Sequence, residues 1–166
     1  ADVHDALVYL HEHASTLGID RQRITLMGQS AGGHLALLEA YKNDGVYSVI
    51  SLYAPIDLAY DYTSSRDKSS ELNFIGGGPD QFSERYGELS PSSYVKQTSP
   101  MTLVVQGTRD DLVATANATL LAQRLSDFGV KHQIVLLPFT GHSFENQQGG
   151  FATQIAEQVV LGFLKR

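Results

Sequence analysis

The serine of Gly28-Gln29-Ser30-Ala31-Gly32 stands between a short apolar run, residues 23–27, and an Ala/Leu-rich run, residues 34–41. No other feature restricts the fold as tightly. The first run reads as a buried strand and the second as a helix. A strand that becomes a helix through five mostly small residues must turn sharply, and small side chains let the turn pass close to its neighbours. Such a turn lifts the Ser30 hydroxyl off the end of the strand. It also aims the Ala31 N–H and the helix N-terminus at any negative charge that develops beside that hydroxyl. The G-x-S-x-G pattern is short and recurs by chance; the flanking strand and helix make it a candidate nucleophile turn. The alternative is a glycine-rich turn that binds phosphate or only packs tightly. Gly28, Gly32 and Gly33 lack the G-x-G-x-x-G spacing of a dinucleotide site.

The rest of the chain alternates in the same way. Upstream, Val3, Leu7, Leu10, Ala14 and Leu17 fall on one helical face, with Gly18 as the stop. Strands are predicted at 46–53, 101–106 and 132–137. Helices are predicted at 114–128, with Ala114, Ala118, Leu121, Leu125 and Phe128 on one face, and from about 150 onward, with Phe151, Ile155, Val159 and Phe163 on one face. Alternating strands and helices predict an α/β fold, a parallel sheet flanked by helices, with right-handed crossovers. In such sheets, functional residues gather at the carboxyl ends of the strands. Residues 56–97 break the alternation. They are rich in Asp, Ser, Tyr and Gly, and predict loops and short helices forming a cap-like insertion in a single domain, 1–166. Its Tyr60, Tyr62, Phe74 and Phe82 line an apolar site or form a small satellite core; the pattern does not choose between them.

Composition narrows the function. The chain has 166 residues, 42% hydrophobic and 18% charged, which excludes a disordered or fibrous protein. A net charge of −6 with scattered Lys and Arg argues against nucleic acid or an anionic membrane as partner. The absence of cysteine removes disulfides, thiolate metal sites and thiol nucleophiles. No apolar run approaches a membrane span. The histidines show no HExxH or similar spacing, so no metal is expected, and no organic cofactor is implied.

A serine hydroxyl is a weak nucleophile at neutral pH and needs a base, which in turn needs an orienting carboxylate. The strand ending at Gln106 runs into Gly107-Thr108-Arg109-Asp110-Asp111, and the next strand into Gly141-His142-Ser143-Phe144. Both are turns at strand ends, in the chain order Ser, Asp, His. His4, His11 and His13 fall in the first helix, His132 begins a strand, and His34 follows the serine turn too closely to reach back over it. His142 is therefore the candidate base. Asp110 and Asp111 compete as the acid, and spacing alone leaves the choice open; either can instead be a turn-forming Asx residue.

Gly28-Gln29-Ser30-Ala31-Gly32-Gly33-His34, Phe74-Ile75-Gly76-Gly77, Ser90-Pro91, Gly107-Thr108-Arg109-Asp110 and Gly141-His142-Ser143-Phe144 together resemble the carboxylesterase/lipase branch of the α/β-hydrolases. Within it they are most similar to the small esterases related to feruloyl esterases and kynurenine formamidase. The resemblance implies hydrolysis of a small-molecule ester with a short acyl chain, with Ser30 as nucleophile, Asp110 as acid, His142 as base and the Ala31 N–H as one oxyanion donor. Gln106 departs from the family, where a histidine commonly precedes the glycine. The family also carries several strands and an HGG-type oxyanion loop ahead of the first helix seen here. The chain is thus expected to be the C-terminal portion of the fold, with the strand at 23–27 an open edge through which two copies associate. A peptidase of the prolyl-oligopeptidase type and a non-catalytic hydrolase-like binding domain are the rival readings.

Overall fold

The computed structural model describes residues 2–65 and 68–166. Helices α1 (Asp2–Glu12) and α2 (Ala14–Leu17) open it, followed by β1 (Thr25–Gln29), α3 (Ala31–Lys42) and β2 (Ser48–Leu52). The insertion contributes α4 (Leu58–Ser64), α5 (Ser69–Ile75), α6 (Pro79–Leu89) and a 3₁₀ turn. Then come β3 (Met101–Gly107), α7 (Ala116–Asp127), β4 (His132–Leu137), a second 3₁₀ turn at Phe144–Asn146 and α8 (Phe151–Leu164). The four strands are all parallel and lie in chain order, β1-β2-β3-β4. Their register sets Gln29, Leu52 and Val105 side by side, so the chain leaves β1, β2 and β3 along one rim.

Period-two alternation gives the sheet two buried faces. Val49 and Val104 face Leu37, Ala40 and Tyr41 of α3 and Leu121 and Leu125 of α7. Ile50, Leu103 and Val105 face the other way, onto Ala156, Val160 and Phe163 of α8. Helices on both faces explain why β2 is buried along its whole length, as a central parallel strand should be. β1 is an edge of this sheet, and Met27 on it is half exposed.

Three expectations are corrected. The first apolar run is not one helix: the chain breaks at His13, and only Leu7 and Ala14 are buried, while Leu17 is exposed. Gly18 does end it, in the left-handed conformation at φ 67°. β1 starts at Thr25 rather than 23, because the ladder with β2 begins only at Thr25 opposite Ser48. α8 is rotated from the expected face: Phe163 is buried as expected and Ile155 and Val159 pack at the edge of the core, but Thr153, Ala156 and Val160 are the other buried residues and Phe151 is 81% exposed. Phe151 is the first residue of the helix and lies beyond the cluster.

In the insertion, the small core is built on Leu58, Ile75 and Tyr86, joined by Tyr62, whose ring meets that of Tyr86 edge-on at 5.9 Å. Phe74 and Phe82 are exposed. The insertion is fastened to the main body through Asn117 of α7. The Asn117 amide donates to Asp61 Oδ1 (3.0 Å), and its oxygen accepts from the Ile56 N–H (3.2 Å). Burial and the adjacent Glu71 carboxyl push Asp61 up to about 7, against the downward pull of the Asn117 amide.

Candidate active site

Ser30 sits between β1 and α3 with φ 48° and ψ −121°, a conformation that side-chain-bearing residues rarely adopt. Hydrogen bonds over-determine the turn: the Ser30 N–H donates to the Leu52 carbonyl (2.9 Å), and the His34 N–H to the Ser30 carbonyl (3.0 Å). A Cβ on Gly28 would strike the Gly32 carbonyl, and one on Gly33 would come within 2.9 Å of Ala54 Cβ. A Cβ on Gly32 would meet nothing within 4 Å. The expected crowding is therefore real at Gly28 and Gly33, and absent at Gly32. Ala31 is the first residue of α3, so its N–H belongs to the set that a helix leaves without an intrahelical acceptor.

The loops after β3 and β4 form one unit. Arg109 N–H donates to the Thr140 carbonyl (2.8 Å), and Phe139 N–H to Thr108 Oγ1 (2.9 Å). Gly107 permits this approach, since a Cβ there would collide with the Thr140 carbonyl. The paired loops bring the imidazole of His142 to the carboxylate of Asp110, with Nδ1 2.8 Å from Oδ2. On the other side of the ring, Nε2 lies 3.0 Å from Ser30 Oγ. The Nδ1–H bond to a carboxylate leaves Nε2 as the acceptor for the serine proton. Asp111 is exposed on the loop.

Asp110 is held on both oxygens. Oδ1 accepts the N–H groups of Leu112 (3.0 Å) and Val113 (2.9 Å), and Oδ2 accepts His142 and the side-chain amide of Gln106 (3.0 Å). Burial alone would raise its pKa. The donors from His142 and the two backbone amides, with the charge of the imidazole, outweigh burial and hold it below the ordinary carboxylate value.

The other histidines are engaged elsewhere. His34 is buried and donates Nδ1–H to the Pro55 carbonyl (2.9 Å), and desolvation lowers its pKa despite that bond. His4 binds Glu39, while His11, His13 and His132 bind backbone carbonyls. Among the described residues, no three His, Cys, Asp or Glu side chains are grouped to hold a metal, and no helix is long and apolar enough to cross a membrane.

Two neighbours escaped the sequence reading. Tyr53, immediately after β2, has φ 41° and packs its ring edge-on against His142 (4.5 Å between centroids) and Phe144 (5.1 Å). It had looked like the last residue of a strand. Gln106, noted only as a departure from the family's histidine, is the second; a polar residue near the end of a mostly apolar strand is its one signal in the sequence.

The four-stranded parallel sheet flanked by helices is that of the α/β-hydrolase fold. The chain belongs to the BD-FAE family, whose model matches residues 1–125. It is similar to the esterase LipC of Mycobacterium tuberculosis (strain ATCC 25618 / H37Rv), at 26% identity over 180 residues, covering 96% of this chain and 44% of LipC. It is also similar to the acylamino-acid-releasing enzyme of Arabidopsis thaliana, at 25% identity, covering 89% of this chain and 20% of that enzyme. The propionate-bound structure of the esterase Est2 from the Planctomycetes species Thermogutta terrifontis superimposes with a TM-score of 0.77 at 24% identity, over 98% of this chain and 62% of Est2. The chain thus spans less than half the length of these curated relatives.

Proposed function

We propose that this chain carries the nucleophile, acid and base of a serine esterase. The observation that carries the reading is the continuous hydrogen-bond relay from Ser30 Oγ through both nitrogens of His142 to Asp110. Ser30 Oγ attacks the acyl carbon and its proton passes to His142 Nε2. Asp110 holds the imidazolium that results. The Ala31 N–H and the start of α3 face the charge that develops on the carbonyl oxygen. Collapse breaks the bond to the alcohol, which leaves with the proton from Nε2, and the acyl group stays on Ser30. Water then attacks the acyl-enzyme, giving up a proton to His142; collapse breaks the bond to Ser30 Oγ, which takes that proton back from Nε2 as the acid is released. No residue in this scheme calls for a cofactor.

The substrate in this reading is an ester with a short acyl chain. Among the described residues the insertion is three short helices and a 3₁₀ turn around a core of a few side chains, a modest cap. The naming of LipC as an esterase and the propionate in Est2 point the same way. The intact protein is expected to turn over p-nitrophenyl acetate and butyrate faster than palmitate, and a fluorophosphonate probe should label Ser30. Palmitate as the best substrate would overturn the chain-length assignment. Absence of labelling and of turnover would leave a binding domain. The match to an acylamino-acid-releasing enzyme supports a second reading, cleavage of an amide next to an acylated residue. Turnover of an acylated amino-acid anilide without ester turnover would establish it.

Among the described residues β1 is an edge strand of the sheet, which supports pairing with a second copy when these 166 residues stand alone. Its backbone groups face outward, and Met27 beside them is half exposed. These 166 residues alone are expected to associate in light scattering, and Met27→Lys to shift them toward monomer. A monodisperse monomer at all concentrations would count against edge pairing.

A further inference from the structure

Gln106 is completely buried, on the most enclosed stretch of β3. Its amide nitrogen has three acceptors around it: Asp110 Oδ2 at 3.0 Å, the Val113 carbonyl at 3.3 Å and the Gly107 carbonyl at 3.4 Å. Turning the amide over would set its oxygen against all three, so the orientation is fixed by its surroundings. The opposite atom, Oε1, is buried without a hydrogen-bond partner. Burying an unpaired acceptor is unfavourable, and a Leu of similar size would avoid it. The position thus tolerates a poor acceptor environment while making full use of a donor.

That donor reaches the one carboxylate oxygen that also receives the imidazole. We infer that Gln106 is a positioning residue for the Ser30–His142–Asp110 relay: it fixes the plane of the Asp110 carboxylate from the side of the sheet and shares the charge on Oδ2. This inference rests on the esterase reading above. Leu112 and Val113 restrain Oδ1 while Gln106 restrains Oδ2, so donors on both oxygens fix the rotation of the carboxylate about its Cβ–Cγ bond. The neutral amide also makes Oδ2 a weaker attractor for the imidazolium than a bare carboxylate oxygen would be. It therefore acts on both geometry and proton affinity.

The test is Gln106→Leu in the intact protein, read as kcat and KM for a short acyl ester across pH, beside wild type and Ser30→Ala. Removing the donor is expected to lower kcat about 10-fold with KM within about 2-fold of wild type. It should also shift the acid limb of the kcat/KM profile, because both the charge on Oδ2 and its alignment with the imidazole change. A purely structural role would lower the amplitude and leave the limb in place, and that result overturns the inference. If Gln106→Leu does not fold, Gln106→Glu is read in the same way. Its buried carboxyl must keep a proton to donate to Asp110, so activity should fall as the pH rises past neutrality, and a wild-type profile overturns the inference. Ser30→Ala separates the two levels. If it is inactive while Gln106→Leu keeps the wild-type acid limb, only the role of Gln106 fails. If it retains full activity, the esterase reading fails and takes this inference with it.

Discussion

Ser30→Ala is expected to reduce ester turnover by about 10⁴-fold or more while leaving KM within a few-fold of wild type. The hydroxyl is the one group in the relay that forms and breaks the bond to the acyl carbon. Its removal leaves His142 with nothing to deprotonate except water. The residual rate is what the Ala31 N–H and the binding site supply on their own. The backbone at this position is in the left-handed region in either variant, and the turn is held by main-chain bonds to Leu52 and His34, so the fold should tolerate the change. Steady-state kinetics and a thermal melt on the same preparation check both halves. Retention of more than about 1% of the activity, with an unchanged pH profile, would place the nucleophile elsewhere.

The second large effect is expected for Asp110→Asn, a change of nearly constant shape. The N–H groups of Leu112 and Val113 both point at Oδ1, so the new amide must keep its oxygen there. Its nitrogen then takes the place of Oδ2, where it faces His142 Nδ1 and the Gln106 amide nitrogen. Three donors cannot share that spot. The imidazole is expected to switch tautomer, accepting at Nδ1 and presenting Nε2–H to Ser30, which leaves it unable to take the serine proton. A loss of about 10⁴-fold in kcat follows, with little change in KM. Stability should respond too. The Asp110 pKa is depressed in the folded state, so its contribution is present at neutral pH and lost as the pH falls through the depressed value. Asp110→Asn lacks that contribution, so its melting temperature should depend less on pH in the acid range than that of wild type. An unchanged kcat would mean that the carboxylate does not orient the base.

How much of this could be read from the residues varies by element. The four strands were legible because β-branched and aliphatic runs bounded by glycine or proline leave few alternatives. β4 falls within the residues expected, 132–137, and β3 runs one residue past its expected end. The edges were less legible. Arg23 and Ile24 look like strand residues, but a strand begins where a neighbour pairs with it, and pairing is a property of two segments. Helix faces were partly legible: Ala118, Leu121 and Leu125 of α7 are buried as expected, whereas the sheet selected Ala156 and Val160 of α8. At the site, residue types and chain order marked Ser30, His142 and the Asp110–Asp111 pair. They did not mark the tie from Gln106 to Asp110, which depends on how a loop folds back over the end of its own strand. Nor did they mark Tyr53, whose ring meets His142 only because its backbone takes an unusual conformation.

The order of the relay along the chain also bears on synthesis. Ser30 emerges first, the acid 80 residues later, and His142 a full 112 residues after the serine it serves. The contact between Oγ and Nε2 closes the widest of these loops, so it forms late, once β4 has docked on β3. Until then the growing polypeptide carries a serine of ordinary reactivity. If the chain has the proposed esterase activity, its onset would report the docking of β4 on β3.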